Sequence, residues 1–256
     1  MNWIAFGEAL LYLLLFAVAI WQLSTWRNNV GIVDIFWSLM ILTSALVGFM
    51  ASDHTGAQDL IILLAIIWAV RLALFLAARN WNEQEDRRYR DIREKYSPNF
   101  AFKSLFIIFI FQAVLAWLIS SLFFAAFSVP LDFTPLTWLG AVVTLSGIVI
   151  EGVADMQLSR FQRLINKPKP FLDTGLWRYS RHPNYFGEAL VWWGFALMAL
   201  PSGHYWLLFS PLMMTWLLLK FSGVTLNEQG IDSRRPGYAD YKRRTNAFIP
   251  GRPRSA

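Results

Sequence analysis

The segment GLWRYSRHPNYFGE, positions 175–188, crowds Arg178, Arg181, His182, Asn184 and Glu188 between apolar stretches. Arginine meets phosphate through charge-assisted pairs, and Asn and Glu side chains exchange hydrogen bonds with hydroxyl and amide groups. The cluster suits an anionic ligand that also carries sugar or carboxamide groups. A second set of polar residues lies in or at the ends of apolar runs: Asp34 in GIVDIFWSL, then Glu151, Asp155 and Glu188. Glu151 and Asp155 are four apart, as are Asn184 and Glu188, a spacing that puts both members of a pair on one helix face. Ionisable groups in membrane-spanning sequence are expensive and mark function by default. A third feature is Tyr89, in EDRRYRDIREKY, flanked by Arg87, Arg88 and Arg90. Neighbouring cations lower a phenol's pKa and suit it to donate a proton.

Other chemistries are excluded. There is no cysteine, and His54, His182 and His204 lie far apart in the chain, so no metal site is expected. No GxGxxG or GxxxxGK[ST] motif occurs. A nucleotide would have to be held by side chains rather than by a glycine-rich cradle.

The elements that position these residues follow from composition. The 256 residues are 56% hydrophobic and 16% charged, where a soluble domain carries roughly a quarter charged residues. The chain reads as an all-α integral membrane protein. About 20 apolar residues cross a bilayer core as a helix, and seven such spans are expected: Trp3–Leu23, Gly31–Met50, Leu60–Ala78, Leu105–Val129, Leu136–Ala154, Tyr185–Leu200 and Tyr205–Val224. The first lacks a basic leader and a small-residue cleavage motif, so it reads as a retained helix. Lys and Arg test this count. One lies between spans one and two, seven between three and four, six between five and six, and eight from Lys220 onward. The connections between spans two and three, four and five, and six and seven have none. With seven spans every basic segment falls on one side, which puts the N-terminus outside and the C-terminus in the cytoplasm. The net charge of +6 then serves topology and anionic lipid headgroups, and no nucleic acid is expected as a partner.

The same residues carry a resemblance. Gly175, Trp177, Arg181, His182, Asn184, Tyr185, Gly187 and Glu188 fit the pattern G-x-W-x-x-x-R-H-x-N-Y-x-G-E, which is similar to the C-terminal signature of the steroid 5-alpha-reductase and sterol reductase superfamily. The ending RPGYADYKRRTNAFIP resembles that family's, and VDIFWSL and RNWNEQEDRRY look like its bacterial branch. The resemblance implies a single seven-helix membrane domain over 1–256, in a bacterial inner membrane. Substrate-side helices would occupy about 1–129 and a cofactor-binding half about 136–256. It implies NADPH entering from the cytoplasm and a small lipid substrate, a steroid or other enone, reduced at its carbon–carbon double bond. By position it makes Asp34 and Tyr89 the catalytic pair, although the steroid enzymes carry Glu where this chain has Asp34. It points to Asp155, Tyr179, Arg181, His182, Asn184 and Glu188 as cofactor-binding. Arg160, Arg163, Lys167 and Lys169 are the nearest cations for the phosphates, and Tyr238 and Tyr241 would close over the adenosine end. The rival resemblance is to S-adenosylmethionine-dependent membrane methyltransferases of the isoprenylcysteine carboxyl type, which share an R-H-P-x-Y motif and a Glu in the tail, here Glu228 in TLNEQG.

Overall fold

A computed structural model describes residues 1–165, 169–221, 224–228 and 230–254. Regular structure among them is helical, apart from one isolated bridge between Ser180 and Asn246. In chain order the helices are α1 (Trp3–Arg27), α2 (Val33–Met50), α3 (Gly56–Asn80), α4 (Arg87–Lys95), α5 (Phe100–Ser104), α6 (Phe111–Ala126), α7 (Pro135–Gln162), α8 (Pro183–Ala199), α9 (Phe209–Trp216), α10 (Val224–Glu228), α11 (Ile231–Arg234) and α12 (Tyr238–Arg244). A π-helical stretch, Leu105–Ile110, joins α5 to α6.

Among the described residues five continuous helical segments are long and apolar enough to cross a bilayer: Trp3–Arg27, Val30–Met50, Gly56–Asn80, Phe100–Ala126 and Pro135–Gln162. They leave large apolar side chains such as Leu11, Leu15, Leu74, Val142 and Val149 exposed. A water-soluble monomer does not display apolar area on that scale, whereas a lipid-facing surface does. The other two expected spans are shorter, α8 with 17 residues and the segment Tyr205–Lys220. The fifth expected span was bounded at Ala154. Its helix instead runs to Gln162, because hydropathy falls at DMQLSRFQ while helix propensity does not. Glu151 and Asp155 are therefore inside a helix rather than at its end.

Chain contacts divide the protein into two compact units, Met1–Thr137 with Met198–Ser210, and Trp138–Leu197 with Pro211–Ala256. In the first, α2 packs against α1, α3 and α6. The inward face of α1 reads Ala5, Ala9, Leu13, Ala17, Ile20 and Ser24, a three-to-four-residue period of mostly small side chains that suits close helix packing. Hydroxyls join the helices in the apolar interior: Ser44 to Ser120 at 2.6 Å, and Ser38 to the Ala69 carbonyl at 2.9 Å. Helix α3 starts at a capping box, in which Thr55 and Gln58 satisfy each other's backbone.

In the second unit α7 and α8 touch backbone to backbone. A Cβ on Gly147 would lie 2.6 Å from the Gly187 carbonyl oxygen, and one on Gly194 2.7 Å from that of Gly140. Glycine is required by space at both positions. Gly147→Val should therefore separate the two helices and lower the thermal midpoint in detergent by several degrees, the scale of an overpacked core. Gly7→Val, at a site with nothing within 4 Å, should leave the midpoint in place, and equal midpoints for both variants would overturn this account of the packing.

Candidate active site and cofactor pocket

In the first unit the turn after α1 builds the site. Asn28 takes the left-handed conformation (φ 51°) and ends α1. The residues around it are fastened to the segment after α3. Arg27 donates to the Trp81 carbonyl at 2.6 Å and sits over the Trp81 ring, the Asn29 amide donates to the Glu83 carbonyl at 3.2 Å, and the Val30 N–H donates to the Glu85 carboxylate at 2.9 Å. Glu85 also takes both donors of Arg93, at 2.7 and 2.8 Å. Burial pushes the Glu85 carboxyl up, but Arg93 and the Val30 N–H together hold it below its usual value. The short helix α4, capped by Asp86 accepting from the Arg88 N–H, is thereby folded back toward α2.

The result is a hydrogen bond between residues 55 positions apart: the Tyr89 hydroxyl donates to Asp34 at 2.6 Å. Arg88 approaches the other Asp34 oxygen at 3.5 Å. Gln112, one residue into α6, lies beside the phenol and favours its ionised form, and its Oε1 is buried without a hydrogen-bond partner. Gly31 lies against the Tyr89 ring: a Cβ there would lie 3.4 Å from Tyr89 Cδ2, an ordinary contact, and a tighter 3.1 Å from Asn29 Oδ1. One expectation is corrected. The flanking arginines were expected to make this phenol more acidic. Burial and the Asp34 charge outweigh Arg88 and push its pKa well above 10. Tyr89 is only 8% exposed, so it is a firmly protonated donor rather than an incipient phenolate.

In the second unit the C-terminal tail folds onto the 175–182 segment. Gly175, at φ +62° beside the Gln157 amide, lets the Leu176 N–H reach Gln157 at 3.0 Å. The Trp177 indole donates to the Ala154 carbonyl at 3.1 Å, and Tyr241 donates its hydroxyl to the Trp177 carbonyl. Arg181 is nearly buried and gives Nε and Nη2 to the two oxygens of Glu228 at 2.7 and 2.9 Å. Its Nη1 donates to the carbonyls of Lys242 and Thr245. His182 meets the same Glu228 carboxylate at 3.0 Å and stacks on Tyr185. Burial pushes the Glu228 carboxyl up, but His182 and Arg181 overcome it and hold its pKa at about 2.

Pro183 opens α8, as its missing N–H favours. Asn184, in the first turn of α8, donates to Asp155 at 3.2 Å, while its Oδ1 is buried with no partner. Glu188 is buried one turn on and accepts from the Trp192 indole at 3.1 Å. The remaining expected residues are spread out. Tyr179, Arg160 and Arg163 are exposed, Lys169 pairs with Asp173 at 2.5 Å, and Lys167 lies outside the described residues. Tyr238 and Tyr241 are buried with Phe171 and Ile231 in an aromatic cluster. Glu228 had entered only through the rival resemblance and Gln112 not at all, because a lone amide in an apolar helix carries no sequence signal.

Apolar helices that enclose small polar clusters define an all-helical, multi-pass membrane protein. The chain belongs to the family described as protein of unknown function (DUF1295), whose profile matches residues 20–245. It is also similar to an uncharacterised protein of Schizosaccharomyces pombe, at 24% identity over 90% of this chain and 75% of that one.

Proposed function

We propose that the protein is an NADPH-dependent reductase of the carbon–carbon double bond of an enone lipid, most simply a 3-oxo-4-ene steroid. It would cross the membrane seven times, with its cofactor pocket on the cytoplasmic side. The observation that carries this reading is the 2.6 Å hydrogen bond between Tyr89 and Asp34. NADPH, when bound, would supply a hydride to the β-carbon of the enone. Negative charge then develops on the conjugated carbonyl oxygen, and an acidic donor held in a poorly solvated site stabilises it strongly. Tyr89 is that donor, with Asp34 replenishing its proton.

The residues of the second unit fit the cofactor in type. The unpartnered Oδ1 of Asn184 would cost about 1–3 kcal/mol if left unsatisfied, and the carboxamide N–H or a ribose hydroxyl of the cofactor meets it. Asp155 orients Asn184 through its amide, and Glu188 lies one turn further along α8. Arg160, Arg163 and Lys169 remain the cations for the phosphates. Arg181 and His182 serve instead to lock the tail, since most donors of Arg181 are already spent.

The pairing of Glu228 with Arg181 and His182 favours a second reading, S-adenosylmethionine-dependent methyl transfer. Titration of the purified protein in detergent separates the two. NADPH should bind, and a 3-oxo-4-ene steroid should then drive its oxidation. Binding of S-adenosylmethionine with none of NADPH would overturn the reductase reading.

A further inference from the structure

Beside the aromatic cluster of the tail, the second unit holds a cavity of about 650 Å³, lined in part by Lys169 and Tyr241 and within the range of small-molecule sites. Its lining includes Lys169, Asp173, Arg178, Arg244 and Arg254, four cations against one carboxylate. Lys169 gives one of its three donors to Asp173. The arginines are committed less. Arg244 Nε and Arg254 Nη2 each reach an oxygen only at 3.4 Å, on Asp240 and Asn246, at the weak limit of a hydrogen bond. The three arginines are gathered by the tail's main chain. The Arg254 N–H donates to the Arg244 carbonyl at 2.9 Å, the Gly251 N–H to the Tyr179 carbonyl at 3.0 Å, and the Thr245 hydroxyl to the Arg178 carbonyl at 3.3 Å. Like charges drawn together by backbone bonds repel unless an anion lies among them.

From the three arginines that line this one cavity we infer a binding site for a phosphate monoester, held by Arg178, Arg244 and Arg254. A monoester carries about −1.5 to −2 charges at pH 7 and three acceptor oxygens, which matches several forked donors around one cavity. The phosphate belongs either to a soluble nucleotide or to a lipid headgroup such as phosphatidic acid. If it is the nucleotide's, the inference rests on the NADPH reading and moves the phosphate contacts from Arg160 and Arg163 to these three arginines. Binding is measured without turnover, so either claim can fail alone.

The full-length protein would be titrated in detergent with adenosine 2′-monophosphate, with adenosine as reference, and in nanodiscs with phosphatidic acid against phosphatidylcholine. One phosphate probe should bind well above its reference. The Arg178→Gln/Arg254→Gln double variant should weaken that binding about tenfold or more, as expected for lost charge-assisted contacts. Arg235→Gln, exposed and outside the cavity lining, should not. Arg244→Gln is the second variant should the double one lose its thermal transition. Loss confined to the nucleotide arm assigns the site to a soluble ligand, and loss confined to phosphatidic acid assigns it to lipid. Wild-type protein that binds neither probe, or variants that bind both as wild type does, would overturn the inference.

Discussion

Tyr89→Phe should lower enone-dependent NADPH oxidation by about 10²–10⁴-fold, the usual contribution of a positioned proton donor, and leave NADPH affinity unchanged. The reason is a count of hydrogens and lone pairs. A phenol oxygen has one hydrogen and two lone pairs. When Asp34 is ionised, the phenol hydrogen points at it over 2.6 Å and nothing remains for a substrate. When Asp34 carries a proton, it can donate to a phenol lone pair. The phenol hydrogen is then left to a third partner, which under the proposed reaction would be the developing oxyanion. The proton would pass from Tyr89 to the substrate oxygen and be replaced from Asp34. Asp34→Asn keeps a donor to Tyr89 but has no proton to relay, so it should also slow turnover at constant NADPH affinity. Stopped-flow fluorescence of the nicotinamide reads both quantities, and full rates in both variants would remove the pair from the chemistry.

Glu228→Ala should destabilise the second unit by about 3–5 kcal/mol, the scale of breaking a buried ion pair. Arg181 and Glu228 have side chains 9% and 12% exposed. Removing the carboxylate leaves the guanidinium and His182 without their shared partner in a place water scarcely reaches. Glu228→Gln keeps a hydrogen-bond acceptor and should cost less. The link to pH has a definite sign. The Glu228 pKa is lowered from 4.5 to about 2 in the folded protein, so its contribution is fully present above pH 4.5 and is lost as pH falls toward 2. Thermal unfolding in detergent should show a steeper loss below pH 4.5 in the wild type than in Glu228→Ala, where depressed carboxyls such as Glu85 still contribute. A midpoint for Glu228→Ala equal to that of the wild type at neutral pH would mean that the tail is held by other bonds, chiefly those of Arg181 to the Lys242 and Thr245 carbonyls.

Residue type made some of this legible before the fold was known. A carboxylate in an apolar run and a tyrosine among arginines already mark Asp34 and Tyr89, and the family resemblance paired them across 55 residues. The sign of the Tyr89 shift was not legible, because it depends on burial by the 27–31 turn rather than on neighbours in the chain. Five long helices follow from hydropathy, but their ends do not, since DMQLSRFQ continues α7 on helix propensity after apolarity fails. Glu228 meets Arg181 because the tail doubles back, with the Arg181 N–H donating to the Asn246 carbonyl at 2.9 Å and the Ser180 hydroxyl to the Phe248 carbonyl at 2.8 Å. One backbone bond and one serine hydroxyl make no pattern that a reader of the sequence could follow.

The π-helical stretch Leu105–Ile110 acts on the site through rotational phase. Its wider turn takes up roughly one extra residue, which turns everything beyond it by about 100° relative to an uninterrupted α-helix. Gln112 is the first polar side chain after that point, and it lies beside Tyr89. Deleting one residue from 105–110 would leave the segment as apolar and almost as long. It would also turn the amide off the phenol, so that this stretch keys the helix to the site much as a tooth count keys a gear.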